Sequence, residues 1–403
     1  MATNILNFNQ IATVLNSIQQ QATGQAALTA TNTADFVTNA ITTLNTGKDP
    51  VMNAISQVLS RTIFSVRPYT RKFGLMEVSE SAYGNHTRKL QVVDRGLRDD
   101  DAWKWPAAYD SGQTPADGTG QSVDQQVITK PIVLQTNYYG SQVFEDSYTI
   151  MDDQLNCAFT TGPNELASFV GMVTQNIVDK LEQNRENLAR MICANFIGSI
   201  IDANQTDRMV HLLTEYNTLT GLSLTATTVF QPANYPAFIR WAFARILSIS
   251  DMLTERSQMF QTNITNYPIQ RHTPKDRQKM LLWAPADKMM TTMALADTYH
   301  EELLRLGAYE TVNYWQSIQT PDSISVTPGY IDAAGAAKTG SAVSQANVFG
   351  IIFDEDAMGY ATLNQSWEPA PHNARGKYIT TWIHELCKTY QDTTEKGVIF
   401  LLD

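Results

Sequence analysis

Residues 163–202, PNELASFVGMVTQNIVDKLEQNRENLARMICANFIGSIID, make one unbroken amphipathic stretch. Leu166, Phe169, Val170, Val173, Ile177, Leu181, Leu188, Met191, Ile192, Ile197 and Ile201 recur at steps of three and four, a single stripe of a 3.6-residue period. Pro163 suits the first helical turn, where its missing N–H costs nothing, and Glu165 meets the positive end of the helix dipole. At 1.5 Å per residue such a helix spans about 60 Å, several times an ordinary globular one. Gly171 and Asn184 interrupt any coiled-coil seam, so the helix is expected to act as a strut lying across a sheet.

Around that strut the chain has 403 residues, enough for two or three substructures. Only 17% of residues are charged while 43% are hydrophobic, a balance that suits a chain burying much of its exterior against copies of itself. The net charge of −11, with no basic tail, argues against binding nucleic acid as a whole through its phosphates. No run approaches the ~20 apolar residues of a membrane span, and no signal peptide is legible, so no membrane contact is expected. Cys157, Cys193 and Cys387 are odd in number and widely spaced, which reads as free thiols rather than a disulfide or zinc framework.

Residues 1–61 read as an N-terminal arm: nearly uncharged to residue 48, with a short apolar stripe and then a helix start at Asp49-Pro50. Residues 62–135 contain strand-like runs, FGLMEVSE and HTRKLQVVD on one side and VITKPIVLQTNYYG on the other, separated by a long insert rich in Gly, Asp, Ser and Pro. This pattern predicts an extended, protruding β-hairpin. From Arg61 to Lys104 there are nine Lys and Arg against six Asp and Glu, a basic arm on an acidic chain. Beyond the long helix, residues 236–256 predict a second amphipathic helix. KMLLWAP, SISVTP and NVFGIIFDEDAMGY predict short strands, residues 329–340 a loose loop, and the last 26 residues two strands joined by a polar turn. The texture is α+β.

No motif carries chemistry. GAAKTG lacks the order of a phosphate-binding loop, and GTGQSV fails the dinucleotide fingerprint. His384-Glu385 opens like a zinc protease, but Lys388 stands where the second histidine must be. Asp354, Glu355 and Asp356 follow an apolar strand and are better read as its ending turn than as acid/base catalysts. No catalytic, cofactor-binding or metal-ligating residue is therefore expected, and no cofactor.

The order of parts, with the closing segments NVFGIIFDEDAMGYA and ITTWIHELCKTYQDTTEKGVIFLLD, resembles the major capsid proteins of tailed double-stranded DNA bacteriophages. The resemblance implies a Hong-Kong-ninety-seven-type fold. Residues 163–202 would be its spine helix within a peripheral domain at 136–268, residues 62–135 its extension loop overlapping an adjacent subunit, residues 269–370 its axial domain, and residues 371–403 strands returning to the peripheral domain. It implies a coat protein, not an enzyme, that assembles with copies of itself into hexamers and pentamers of an icosahedral virion head, in the host cytoplasm. The packaged DNA would be enclosed without strong sequence-specific binding. The short N-terminal segment points to a separate scaffolding protein, beside a portal and a decoration protein. Intersubunit contacts are expected from Arg88, Lys89, Arg95 and Arg98 pairing with acidic neighbours, and from Trp103 and Trp105 as aromatic anchors. An encapsulin-like nanocompartment shell has the same layout, and a soluble enzyme with a scattered site is the remaining alternative.

Overall fold

A computed structural model describes residues 71–78, 87–94, 131–138, 140–154, 163–286, 288 and 308–403. The arm at residues 1–61, Cys157 and the hairpin insert at 95–130 lie outside the described residues. In chain order the strands and α-helices are β1 (Thr87–Val92), β2 (Val133–Tyr138), β3 (Gly140–Met151), α1 (Pro163–Asp202), β4 (Met209–His211), α2 (Leu212–Thr220), α3 (Tyr235–Thr254), β5 (Gln278–Trp283) and β6 (Ala308–Val312). There follow β7 (Ile324–Val326), β8 (Gly329–Ile331), β9 (Ala337–Thr339), β10 (Val343–Gln345), β11 (Val348–Asp354), β12 (Met358–Pro369), β13 (Tyr378–Gln391) and β14 (Gly397–Leu401).

The long helix is present over the 40 residues Pro163–Asp202, and it serves two sheets in succession. Ile177 and Leu181 pack with Tyr148, Trp367 and Ile383 of the antiparallel sheet β12-β13-β3. Further along, Ile192, Phe196, Ile197 and Ile200 join a core with Leu281, Ile351, Phe353 and Ile399 of the sheet β4-β14-β11-β5-β6. This second half is buried nearly all round, as a helix enclosed by protein must be. Met191, assigned to the apolar stripe from spacing, instead points outward at 48% exposure. Gly198 has a packing reason: a Cβ there would lie 2.6 Å from Val326 Cγ1 of β7.

The five-stranded sheet is covered on both faces, which is why β11 (VFGIIFD) and β14 (GVIFL) read as continuous apolar runs and are buried throughout. Period-two alternation sorts them, except that the register shift between Val348 and Gly350 puts Phe349 on the side of Ile352. Ile351, Phe353, Ile399 and Leu401 face α1, while Phe349, Ile352, Val398 and Phe400 meet Phe238, Ile239, Ala242 and Ile246 of α3. Among the described residues the three-stranded sheet is covered on one face, by α1, and β3 alternates between half-buried and exposed positions accordingly.

Three expectations from sequence need correction. The described part of FGLMEVSE, residues 73–78, is not a strand. It forms a 3-10 turn at Gly74–Met76, because Phe73 and Met76 are drawn fully into the core and the Glu310 carboxylate accepts the Phe73 and Leu75 N–H groups at 2.9 and 3.4 Å. Residues 329–340 are not a loose loop but the β8–β9 hairpin, turned by Asp332 accepting from Ala334 N and Ala336 N, with Gly335 at φ 81°. The polar turn between β13 and β14 exists, but residues Asp392–Lys396 are buried, each under 8% exposed. Finally, the boundaries drawn at 268 and 370 cut across both sheets. β4, α2 and α3 pack with the five-stranded sheet, β12 belongs to the long three-stranded one, and β14 crosses from the neighbourhood of β13 into the five-stranded sheet. Linear order could not reveal this, since the two sheets exchange chain several times.

No described helix is long and apolar enough to cross a membrane.

Candidate assembly surface

The predicted hairpin is observed at its base. β1 and β2 pair antiparallel from Thr87↔Tyr138 to Val92↔Val133, and Val93 N continues the ladder to Ile132 O at 2.9 Å. Alternation then gives the ribbon two chemically different faces. Arg88, Leu90 and Val92, with Val133 and Gln135 opposite, point outward; Leu90, Val92 and Val133 are 54–59% exposed. Lys89 and Gln91 point inward, onto the turn between β13 and β14.

That turn is a buried polar knot. Lys89 Nζ donates to Asp392 Oδ2 at 2.8 Å and also pairs with Glu395. Arg271 reaches Glu395 Oε1 at 3.0 Å, Gln91 Oε1 at 2.5 Å and Thr394 Oγ1 at 3.1 Å, and Gln91 Nε2 returns a bond to Glu395. Thr394 holds Asp392 from the other side through its N–H (2.9 Å) and Oγ1 (2.6 Å). Burial works against the charge on both partners. Even so, the Asp392 and Glu395 carboxylates outweigh it and raise the Lys89 pKa, and Lys89 with the Thr394 bonds lowers that of Asp392. Burial and the same carboxylates push the Tyr138 phenol up.

Beneath the knot lies Arg208, fully buried. Its guanidinium donates to the carbonyl oxygens of Thr393 (2.8 Å), Gly397 (2.8 Å) and Glu395 (3.3 Å), to Gln205 Oε1 and to Thr262 Oγ1, and it lies 5.3 Å from the Phe196 ring centre. Burial pulls its pKa down to about 10, still cationic at neutral pH. A turn with several inward carbonyls needs a multi-donor group, and arginine's planar fork provides five N–H donors.

A second apolar surface is the face of the three-stranded sheet that no described element covers. There the register places Val143 opposite Leu386, Glu145 opposite His384 and Ser147 opposite Trp382. Val143 and Trp382 are 67% and 39% exposed, with Glu145 and Glu368 exposed beside them. Where β2 hands over to β3, Gly140 is required by crowding: a Cβ would lie 2.3 Å from Thr389 Oγ1.

Of the six residues singled out from sequence, Arg88 is exposed on the outward face, whereas Lys89 pairs within its own chain instead of being presented to a neighbour. The one-residue offset decides this, because adjacent strand positions face opposite ways. Arg95, Arg98, Trp103 and Trp105 lie outside the described residues. Sequence reasoning missed Arg208, Arg271, Asp392 and Glu395. The only available signal was five consecutive polar residues, DTTEK, between two apolar runs, and that pattern reads as a solvated turn. Among the described residues no group of His, Cys, Asp and Glu could hold a metal ion. Cys193 and Cys387 are free and buried, and burial raises both thiols to about 12, away from reactivity. Asp354 ends β11 as a turn, accepting from Thr273 Oγ1 and Asp356 N.

The arrangement offers outward apolar ribbon, uncovered sheet and rigid strut, which together define a protein built to bury surface against other protein. The family profile for Phi29-like phage major capsid proteins matches residues 15–400. The fold is similar to a chain in the capsid structure of Staphylococcus phage Andhra, with a TM-score of 0.54, 11% identity, and coverage of 85% of this chain and 87% of that one. It is also similar to a chain in the structure of the head fiber and inner core protein of bacteriophage P68, at a TM-score of 0.49, 11% identity and the same coverage. No curated protein sequence matches. The chain belongs to the Phi29-like phage major capsid protein family: it is a structural coat protein of the phage head and not an enzyme.

Proposed function

We propose that this coat protein builds its shell by laying the outward face of the β1–β2 hairpin on the uncovered sheet of an adjacent copy. The observation that carries this reading is the division of the hairpin into an inner face tied to its own subunit and an outer face that leaves Leu90, Val92 and Val133 in solvent. The two surfaces complement each other: Arg88 accompanies the apolar ribbon, and Glu145 and Glu368 accompany Val143 and Trp382. A head-to-tail contact of this kind closes into rings, here hexamers and pentamers, when the rotation fits. The insert at 95–130 extends the contact through Arg95, Arg98, Trp103 and Trp105.

In this reading the three-stranded sheet with the first half of α1 is the peripheral domain. The five-stranded sheet with α2 and α3 is the axial domain at the ring centres. The acidic shell encloses double-stranded DNA without strong base-specific contacts. Scaffolding, portal and decoration proteins complete the head in the host cytoplasm.

Expressing the chain alone and with candidate scaffolding proteins, followed by negative-stain electron microscopy, tests this. Rings, tubes or closed shells are expected, and Leu90→Asn with Val92→Asn should reduce their yield at least tenfold. A monodisperse small particle with every partner sinks the reading.

A further inference from the structure

We propose that Lys89 is a positioning residue for assembly: its buried ion pair with Asp392 and Glu395 sets the angle at which the hairpin leaves its own subunit. The proposal rests on the hairpin-overlap reading above. Three observations lead to it. The two large apolar cores contain no residue of β1 or β2; beside the Tyr138–Tyr390 ring contact and the buried Val93, the described base of the hairpin meets the body through polar contacts. Those contacts are unequal. Towards the insert, Asp94 accepts from Arg256 at 2.6 Å and from Gln270 N at 2.5 Å, but Arg256 is 60% exposed, so water and salt compete for that pair. Lys89 instead enters a socket in which Asp392 is 1% and Glu395 10% exposed at the side chain.

The third observation is that the socket residues are also braced by groups other than the lysine. Thr394 holds Asp392, Arg271 holds Glu395, and Arg208 holds the turn's carbonyls from below. Such a preformed, anionic and nearly dry receptor favours one position of the incoming ammonium, because the cost of burying unpaired carboxylates is relieved only when the charge is seated. With the pair seated, β1 has one inclination to the sheet behind it; unseated, the ribbon retains its own ladder but can swing about Tyr138 and Gly140. A lysine on the inner face therefore governs where the outer face meets a neighbour.

The test uses full-length chain carrying spin labels at Val133→Cys and Leu219→Cys in a Cys157→Ser background, with the distance distribution read by pulsed electron resonance on samples diluted with unlabelled protein. Parallel samples are assembled and imaged. Lys89→Met should widen the distribution at least twofold and turn uniform particles into mixed curvatures, and Lys89→Arg should restore both. Arg88→Met, on the outer face, should leave the distribution narrow while lowering assembly yield. If Lys89→Met unfolds the chain, Asp392→Asn, which keeps the side-chain shape, reads the same pair from the other side. A native-width distribution, or uniform shells despite a widened one, overturns the proposal. If even the native chain never assembles, the overlap reading fails, while the distribution width still decides whether Lys89 holds the hairpin.

Discussion

The segment at residues 71–78 and the hairpin base at 87–94 lie close together in the sequence, yet they are fastened by different physics. The first is sunk into the core. Phe73 and Met76 are fully buried with Leu188, Ile192 and Tyr360, the Arg190 guanidinium lies 4.9 Å from the Phe73 ring centre, and Arg71 grips both oxygens of Glu182 at 3.0 and 2.9 Å. The second rests on its body mainly through the polar Lys89, Gln91 and Asp94, although it also buries Val93, and Tyr138 of the pairing strand sets its ring 6.2 Å from that of Tyr390. Apolar burial is non-directional and lost only when the core opens, whereas a seated ion pair is directional and can be released one contact at a time. The difference teaches that neighbouring stretches of one chain can be secured by the core in one case and largely by a small set of charges in the other.

The strongest way to break this contrast is Phe73→Ala. Removing a fully buried aromatic should cost about 3–5 kcal/mol of stability, read as a lowered denaturant midpoint, and should loosen residues 71–78 with the α1 core. If the cost is below about 1 kcal/mol, the segment is not rooted as described. Arg208→Met comes next. It removes the guanidinium's bonds to three buried carbonyl oxygens, of which Thr393 O keeps the Thr262 N–H at 3.0 Å, so at about 1–3 kcal/mol for each of the other two a loss of about 2 kcal/mol or more is expected by chemical denaturation.

A pH series sharpens the comparison at the hairpin. Asp392 has a folded pKa below its unfolded value, so its contribution is present above the ordinary 3.8 and is lost as pH falls through the depressed value. Lys89 has a raised pKa, so its contribution is complete below the ordinary 10.5 and is lost as pH rises through the raised value. The spin-label distribution should therefore stay narrow across neutral pH and widen only at the two extremes, and in Lys89→Met this pH dependence should disappear. Widening near pH 7 in the native chain would place control in some other group. The smallest effect on the isolated subunit is expected from Leu90→Asn, whose side chain faces solvent: within about 0.5 kcal/mol of native by thermal unfolding, despite its loss of assembly.

Legibility followed the same divide. The 40-residue helix, the α3 repeat and the β11 and β14 runs could be read directly, because long periodic or continuous apolar patterns have few alternative ways to be buried. Phe73 and Met76 were legible as apolar but not as a 3-10 plug, since the Glu310 carboxylate that caps them lies 237 residues from Phe73. The hairpin strands were visible, but the inward or outward choice for Arg88 and Lys89 depended on the register and on which turn stood behind them.

By itself, then, the sequence determined the strut, the strand-rich α+β texture, the hairpin at its root and the lack of a catalytic motif, all of which are local periodicities or compositions. The tertiary structure alone decided that DTTEK is a buried knot, that β12 and β14 belong to different sheets, and that Lys89 serves its own subunit. Those outcomes turn on desolvation by segments far apart in the chain. Arg208, Arg271 and Lys89 close around the turn from three separate places, and whether a polar side chain is solvated or entombed is settled only when they do.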